Sequence, residues 1–249
     1  MTNARDDSER PGREGAWVLH MRWHDVLFAH WPFPPEVVQA VLPPPLRVET
    51  WEGQAWLGIV PFRMTDVRPR YLPAVPYLSD FPELNVRTYV SVGGVHGVHF
   101  FSLDAANAIA VMAARRLHLN YLDAEMSCER AGDELRYRSR RTHPGAPPAE
   151  LVGNYLPVGA PFSAKRGTLD DWLTSRHALL TCHDGSVARM KVDHEPWTLQ
   201  AARAHFDVNT MAQAAGLGLP AIDPVLHFSR EIDVVAYRPE PIVESTRVG

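Results

Sequence analysis

The sequence predicts an α+β protein built mainly from antiparallel strands. Three observations carry that expectation. Strand-like apolar runs recur in pairs around Glu52-Gly53, Gly93-Gly94 and Asp184-Gly185, the pattern of tight hairpins. Helical spacing appears only in short stretches, the longest being the Ala-rich segment after Asp104. No strand, Gly-rich loop and helix follow one another as a dinucleotide or nucleoside triphosphate would require; Gly93-Gly94 lies between two strands.

Taken in order, Trp17 to Trp31 is aromatic-rich and carries His20, His24 and His30. Pro34-Pro35 opens a short helix over Glu36–Val41, and Pro43-Pro44-Pro45 closes it, because proline suits a first turn and blocks continuation past the last. Leu46–Thr50 and Gln54–Met64 are expected strands, with Pro61 limiting regular pairing. Arg68–Pro82, with four prolines and the aromatics Tyr71, Tyr77 and Phe81, is expected to be an ordered loop over the sheet, either a rigid excursion or a lid. Val86–Val92 and Val95–Leu103 form the clearest hairpin.

A helix over Ala105–Leu117 follows, with Asp104 as N-cap and Arg115 and Arg116 in the last turn, where cations favour the dipole. Leu119–Met126, Glu134–Arg141 and Leu151–Pro157 are expected strands, with a Pro/Gly-rich turn over His143–Ala149. Thr168 caps a short helix to Ser175, whose first turn holds Asp170 and Asp171. His177–His183 and Val187–His194 make a second clear hairpin. Trp197–His205 and Val208–Ala215 are expected helices, and Pro224–Ser229 and Glu231–Ala236 late strands.

An apolar fraction of 45 % is ordinary for a chain with a substantial core. Residues 16–249 are expected to form a single domain behind a polar, charged tail over 1–15, expected to be disordered, that lacks the apolar run of a signal peptide. No run is long enough to span a bilayer. A net charge of −4 offers no reason to expect nucleic acid or an acidic membrane surface. Two cysteines, Cys128 and Cys182, make no disulfide framework and no metal spacing, and fit a reducing cytoplasm.

The densest set of polar groups lies on the first strand of the central hairpin. Side chains alternate across a strand, so Val86, Thr88, Val90 and Val92 share one face. If extended backbone begins at Glu83, then Glu83, Asn85, Arg87 and Tyr89 share the other. On the return strand His99 and Phe101 oppose His96, Val98 and Phe100. Two readings of the lane fit. It is a solvated face with an ordinary surface ion pair, or it lies inside a closed sheet, where acid, amide and base satisfy one another and hold a polar ligand. Arg136, Arg138 and Arg140 share one face of their strand, a solvated face by default and an anion site as the sharper option.

Several segments together resemble the uncharacterised YqjF-like family of bacterial proteins: HDVLFAHWPFPPEVVQAVLPPPL, GQAWLGIVPFRM, FPELNVRTYV, GVHFFSLDA, AARRLHLNYLDAEM and HEPWTLQ, in order from Trp23 to Gln200. The family is grouped with the acetoacetate decarboxylase-like fold, so the resemblance implies a closed β-cone or barrel with a few short helices and an interior cavity. Acetoacetate decarboxylase forms a lysine Schiff base. The segment similar to the one before its lysine pair is Ala114-Arg115…Leu119-Asn120, which sets the lysine positions near Tyr121 and Leu122; neither residue can form an imine. Phe81-Pro82-Glu83 is similar to the decarboxylase's cavity-acid pattern, so the resemblance implies Glu83 as the retained acid and argues against decarboxylase chemistry.

Of the 25 basic residues only Lys165 and Lys191 are lysine. Lys191 shares a strand face with Arg189 and Asp193 and is the sole Schiff-base candidate by position, with an exposed ion-pairing lysine as the plainer reading. Twelve histidines invite a metal, but His96 and His99 fall on opposite faces; His177, His183 and His194 could meet across one hairpin, where histidines usually pack or face solvent. No metal and no cofactor is expected. No Gly-x-Ser-x-Gly elbow is present, and Ser102 reads as a strand serine.

The expected function is an interior site for a small organic acid or carbonyl-type molecule. Glu83 would act as acid or base, Arg87 or Arg115 as anion clamp and Tyr121 as donor, with Asn85, Tyr89, His99 and Phe101 lining the ligand. A non-catalytic binder and a structural or interaction protein are the alternatives. The expected partner is the small molecule, with self-association left open.

Overall fold

In a computed structural model, residues 16–75 and 78–242 are described. The proposed tail over 1–15 and the loop residue Tyr77 lie outside them. The chain forms β1 (Leu19–Phe33), α1 (Pro35–Val41), β2 (Arg47–Val48), β3 (Ala55–Pro69), β4 (Phe81–Val92), β5 (Val95–Ala105), α2 (Ala108–Arg115), β6 (Tyr121–Ala131), β7 (Glu134–Arg141), β8 (Glu150–Phe162), α3 (Leu169–Thr174), β9 (Ala178–His183), β10 (Ser186–His194), β11 (Leu199–Asn209), α4 (Met211–Ala214), β12 (Val225–Ala236) and β13 (Glu240–Pro241).

The expected α+β class with mainly antiparallel strands is what forms. One sheet runs β13-β10-β9-β5-β6-β7-β8-β11-β12-β1-β3-β4-β2, and extra pairings of β4 with β5 and of β10 with β12 close it on itself. Two forks make the closure double. A bulge in β5 lets Val86 oppose Ser102 while Arg87 opposes Phe100, so Phe101 is the inserted residue. Before the bulge β5 runs parallel to β9, and beyond it parallel to β6. Likewise β12 meets β11 in its first half and β10 in its second. The result is two rings of strands that share β5, β4, β3, β1 and β12.

Each ring has its own packed interior. Leu57, Ile59, Val86 and Val90 pack with Leu135, Tyr137, Leu151 and Tyr155 toward β7 and β8. From the opposite faces of the shared strands, Phe28, Val60 and Phe62 pack with Leu179, Met190 and Val234 in the smaller ring, which β9 and β10 complete. Alternation along β1, β3 and β4 therefore separates two cores instead of a core and a solvated face.

The Gly93-Gly94 hairpin forms as expected, with φ of +57° and +81°, the left-handed pair a two-residue turn demands. Thr168 caps α3 through the Asp171 amide. Other expectations are corrected. The helix begins at Ala108, not Ala105, and Asn107 caps it by accepting from the Ile109 and Ala110 amides. Asp104 is instead a fully buried strand residue bound to Arg141. The segment expected as a helix from Trp197 is strand β11, because its alternating small and polar residues pair with β8. The two late strands are one, β12, and the aromatic segment at the start is β1. Pro61 sits inside β3 opposite Leu84.

On β7, Arg136, Arg138 and Arg140 are exposed, and Arg140 and Arg136 pair with Glu125 and Glu134. The loop before β4 is tied to the start of α2 and to β3, since Asn107 Nδ2 donates to the Leu78 carbonyl and Ser79 Oγ to that of Val67. No helix of the described residues is long and apolar enough to cross a membrane.

Candidate functional site

Extended backbone begins at Phe81, so Glu83, Asn85, Arg87 and Tyr89 do share one face of β4. None exceeds 7 % exposure, and the face looks into the smaller ring beside Phe62 and Val60. An acid, an amide and a guanidinium are thus withdrawn from water in a largely apolar interior.

Each responds differently. Burial, with a smaller contribution from the negative charge of Asp104, raises the Glu83 carboxyl to about 8, against a hydrogen bond with Tyr121 that pulls it down. Glu83 is therefore mostly protonated at neutral pH. Tyr121 is itself held far above the usual phenol range, by burial first and by Glu83 second. Glu83 Oε2 and Asn85 Oδ1 are buried with no hydrogen-bond partner among the described residues.

Arg87 is the odd member of the lane. The other buried arginines have carboxylates: Arg141 holds Asp104 and Arg176 holds Glu49. Arg87 Nη2 donates to the Leu173 carbonyl at 3.0 Å, its Cζ stands 5.3 Å over the Phe28 ring, and its Nε is unpartnered. Among the described residues it forms no salt bridge. Part of its role is structural. The C-terminal carbonyls of α3 lack helical partners, and Arg176 Nε, Arg87 and Trp197 Nε1 donate to those of Trp172, Leu173 and Thr174. Tyr89 also donates to Leu173, at 2.6 Å, and its ring lies 4.4 Å from that of Trp172, tilted by 42°.

A neighbouring row completes the geometry. His30 on β1 opposes Gly58 on β3, which opposes Arg87 on β4. A Cβ at Gly58 would stand 3.0 Å from His30 Cδ2 and Nε2 and 3.2 Å from Arg87 Cγ. Only glycine lets the imidazole and the arginine stem close over that strand. The Gly58→Ala variant is expected to lose about 1–3 kcal/mol of stability, measured by urea unfolding. Wild-type stability in that variant would mean that His30 is not pinned.

Other expected site residues fall elsewhere. His99 opposes Thr88, on the face away from the lane, and its Nδ1 lies 3.1 Å from the Leu180 carbonyl. Phe101, the bulged residue, packs edge-on against His99. Arg115 is exposed, donates to the Tyr121 carbonyl at 3.0 Å, and lines a surface concavity of about 400 Å³ with Arg116, Asp123 and His143. Tyr121 is therefore brought to Glu83, while Arg115, His99 and Phe101 are not. Lys191 alternates with Met190 and Val192, which pack into the smaller ring, so its side chain leaves on the other face. Lys165 sits in the loop before α3. The three hairpin histidines divide: His177 stacks on His194, and His183 on His118. Among the described residues no three His, Cys, Asp or Glu side chains are grouped to hold a metal.

The DUF2071 family model, described as an uncharacterized conserved protein, matches residues 20–233. The chain belongs to this family. It is 43 % identical over 223 residues to the uncharacterized protein YqjF of Bacillus subtilis strain 168, covering 89 % of this chain and 91 % of that protein. Solved structures share the fold at low identity. Acetoacetate decarboxylase from Legionella pneumophila aligns with a TM-score of 0.63 at 14 % identity, over 95 % of this chain and 94 % of that one. The enduracididine biosynthesis enzyme MppR with bound HEPES gives 0.64 at 10 %, over 92 % and 89 %. An acetoacetate decarboxylase-like enzyme from Sphingomonas wittichii RW1 gives 0.62 at 11 %, over 92 % and 94 %. In this DUF2071 member the acetoacetate decarboxylase-like fold is thus present, with both lysines of the chain outside the Glu83–Arg87 lane.

Sequence reasoning missed His30, Gly58, Phe28 and His227. One signal was available: a glycine inside the apolar run Ala55–Val60 marks a close approach. What approaches it comes from strands distant in sequence.

Proposed function

We propose that the smaller ring binds a small organic acid, with its carboxylate on Arg87 and its other end toward the protonated Glu83–Tyr121 pair. The observation that carries this reading is the Arg87 guanidinium, buried with one hydrogen bond and no carboxylate partner among the described residues. An unpaired buried charge is costly, and a ligand carboxylate supplies both the counter-charge and the missing acceptor in the planar geometry a guanidinium prefers. Glu83, neutral at pH 7, offers an O–H to a carbonyl or hydroxyl instead of repelling the anion. The enduracididine biosynthesis enzyme MppR has been solved complexed with pyruvate, which supports a ligand of this class in a chain of the same fold.

With no lysine in the lane, any turnover at this site proceeds without an imine. Glu83 is then the proton donor and Tyr121 orients it. The same geometry also serves a binder without turnover, and incubation with a 2-oxo acid followed by product analysis separates the two.

Calorimetric titration with pyruvate tests the reading. The Arg87→Met variant is expected to weaken binding by about ten- to a hundredfold, the scale of one charge-assisted contact. Arg87→Lys, which keeps the charge and loses the fork, should fall between. Equal affinity in all three proteins would overturn the proposal.

A further inference from the structure

Three buried nitrogens without hydrogen-bond partners belong to residues that neighbour Phe28: Arg87 Nε, His30 Nδ1 and His227 Nδ1. Arg87 lies over that ring. His30 stacks parallel to it, centroids 6.2 Å apart and planes within 9°. His227 is its cross-strand partner on β12 and so shares its face. Both histidines are at most 4 % exposed.

Their partners dictate which nitrogen carries the proton. The Tyr89 hydroxyl has one hydrogen, given to the Leu173 carbonyl at 2.6 Å. At its 2.8 Å contact with His30 Nε2 it must therefore accept, so Nε2 bears the hydrogen. Burial first, and the charges of Arg87 and His227 after it, keep this ring neutral, which leaves Nδ1 as a bare lone pair. The Asp170 carboxylate accepts from His227 Nε2 at 2.9 Å. The bare His30 lone pair thus belongs to a ring whose opposite edge faces the Arg87 stem across Gly58.

We infer that this end of the ring is a hydroxyl-reading subsite, and that the preferred ligands are small 2-hydroxycarboxylates. The carboxylate sits on Arg87, and the adjacent hydroxyl donates to His30 Nδ1. The inference rests on the carboxylate reading above. Charge decides against the other donors and acceptor-seekers. An ammonium group or a metal cation would meet the Arg87 guanidinium in a medium that screens poorly, whereas a neutral hydroxyl satisfies a lone pair at no such cost. A carboxylate lacking the hydroxyl leaves the His30 nitrogen unpaired and brings its own lone pairs toward it, the situation in which polar sites reject the deficient analogue.

Lactate and propionate differ only in that hydroxyl and form the test. Wild-type protein is expected to bind lactate at least tenfold more tightly than propionate, by calorimetry at pH 7. In the His30→Phe variant that preference should shrink to less than threefold while propionate affinity stays near its wild-type value. Because that variant also removes the partner of Tyr89, a readout on unmutated protein is paired with it. The ¹⁵N resonance of the bare His30 Nδ1 should shift on adding lactate and stay in place with propionate. Equal affinity for the two acids, or an unmoved imidazole signal in the lactate complex, would overturn the hydroxyl subsite while leaving the Arg87 reading standing. If neither acid binds, both fall.

Discussion

The Glu83→Gln variant is expected to be more stable than wild type above pH 8 and equal to it near pH 4. The reason is the native carboxyl, raised from 4.5 to about 8 by burial, with Asp104 adding to the effect. In the unfolded chain the group ionises near its ordinary value. Between these two points the native state holds a proton that the unfolded state has released, so native stability falls as pH rises through the window. Each unit of difference corresponds to about 1.4 kcal/mol, which sets the wild-type loss on the order of 3–5 kcal/mol between pH 4.5 and 8. Glutamine resembles the protonated acid in shape, retains a partner for Tyr121 and does not titrate. Urea unfolding of both proteins from pH 4 to 9 measures the difference directly. Parallel curves across that range would show that Glu83 is not the buried neutral acid described above. The same comparison in an Asp104 variant tests the coupling, because removing a negative neighbour should move the Glu83 midpoint downward.

Breaking the Asp104–Arg141 pair should cause a loss of comparable size by a different route. Arg141 Nε and Nη2 meet the two carboxylate oxygens at 3.0 and 2.9 Å, and Nη2 also donates to Ser102 Oγ at 2.9 Å. The side chains are 3 % and 0 % exposed, so neither can turn to water when its partner is removed. Asp104→Ala is expected to cost about 3–5 kcal/mol, the scale for stranding a buried charge. Replacing both residues together, as Asp104→Leu with Arg141→Met, should recover most of that loss, since an apolar pair of similar volume leaves no charge behind. A double-mutant cycle by urea unfolding checks this, and additive losses would mean that the two charges are not coupled.

The lane on β4 was legible as a pattern. Period-two spacing alone groups Glu83, Asn85, Arg87 and Tyr89, and turn chemistry at Gly93-Gly94 gives the register of the return strand as far as the bulge. In that register His99 opposes Thr88, so the hairpin pairing itself sets it on the face away from the lane, and Phe101, the bulged residue, packs against it. The helix starts at Ala108 and not directly after Asp104 for a tertiary reason. Asp104 is a good capping residue in isolation, but a buried arginine from β7 claims its carboxylate and Asn107 caps in its place. The segment after Trp197 shows tertiary pairing overriding a weak local preference, since β8 and β12 flank it.

What the sequence determined by itself is therefore local: which side chains share a face, where the chain turns, that its strands pair mainly as neighbours, and that lysine is nearly absent. Whether the lane meets water or a packed interior was decided by ring closure. That depends on the forks in β5 and β12, and the contacts that create them join residues far apart in the chain. His30 reaches Tyr89 across 59 positions, and His227 reaches Asp170 across 57. Periodicity encodes orientation about a strand's own axis and carries no information about which neighbour a distant strand will become. Only the closed sheet brings His30, Gly58 and Arg87 into one row and withdraws an acid and a guanidinium from water together.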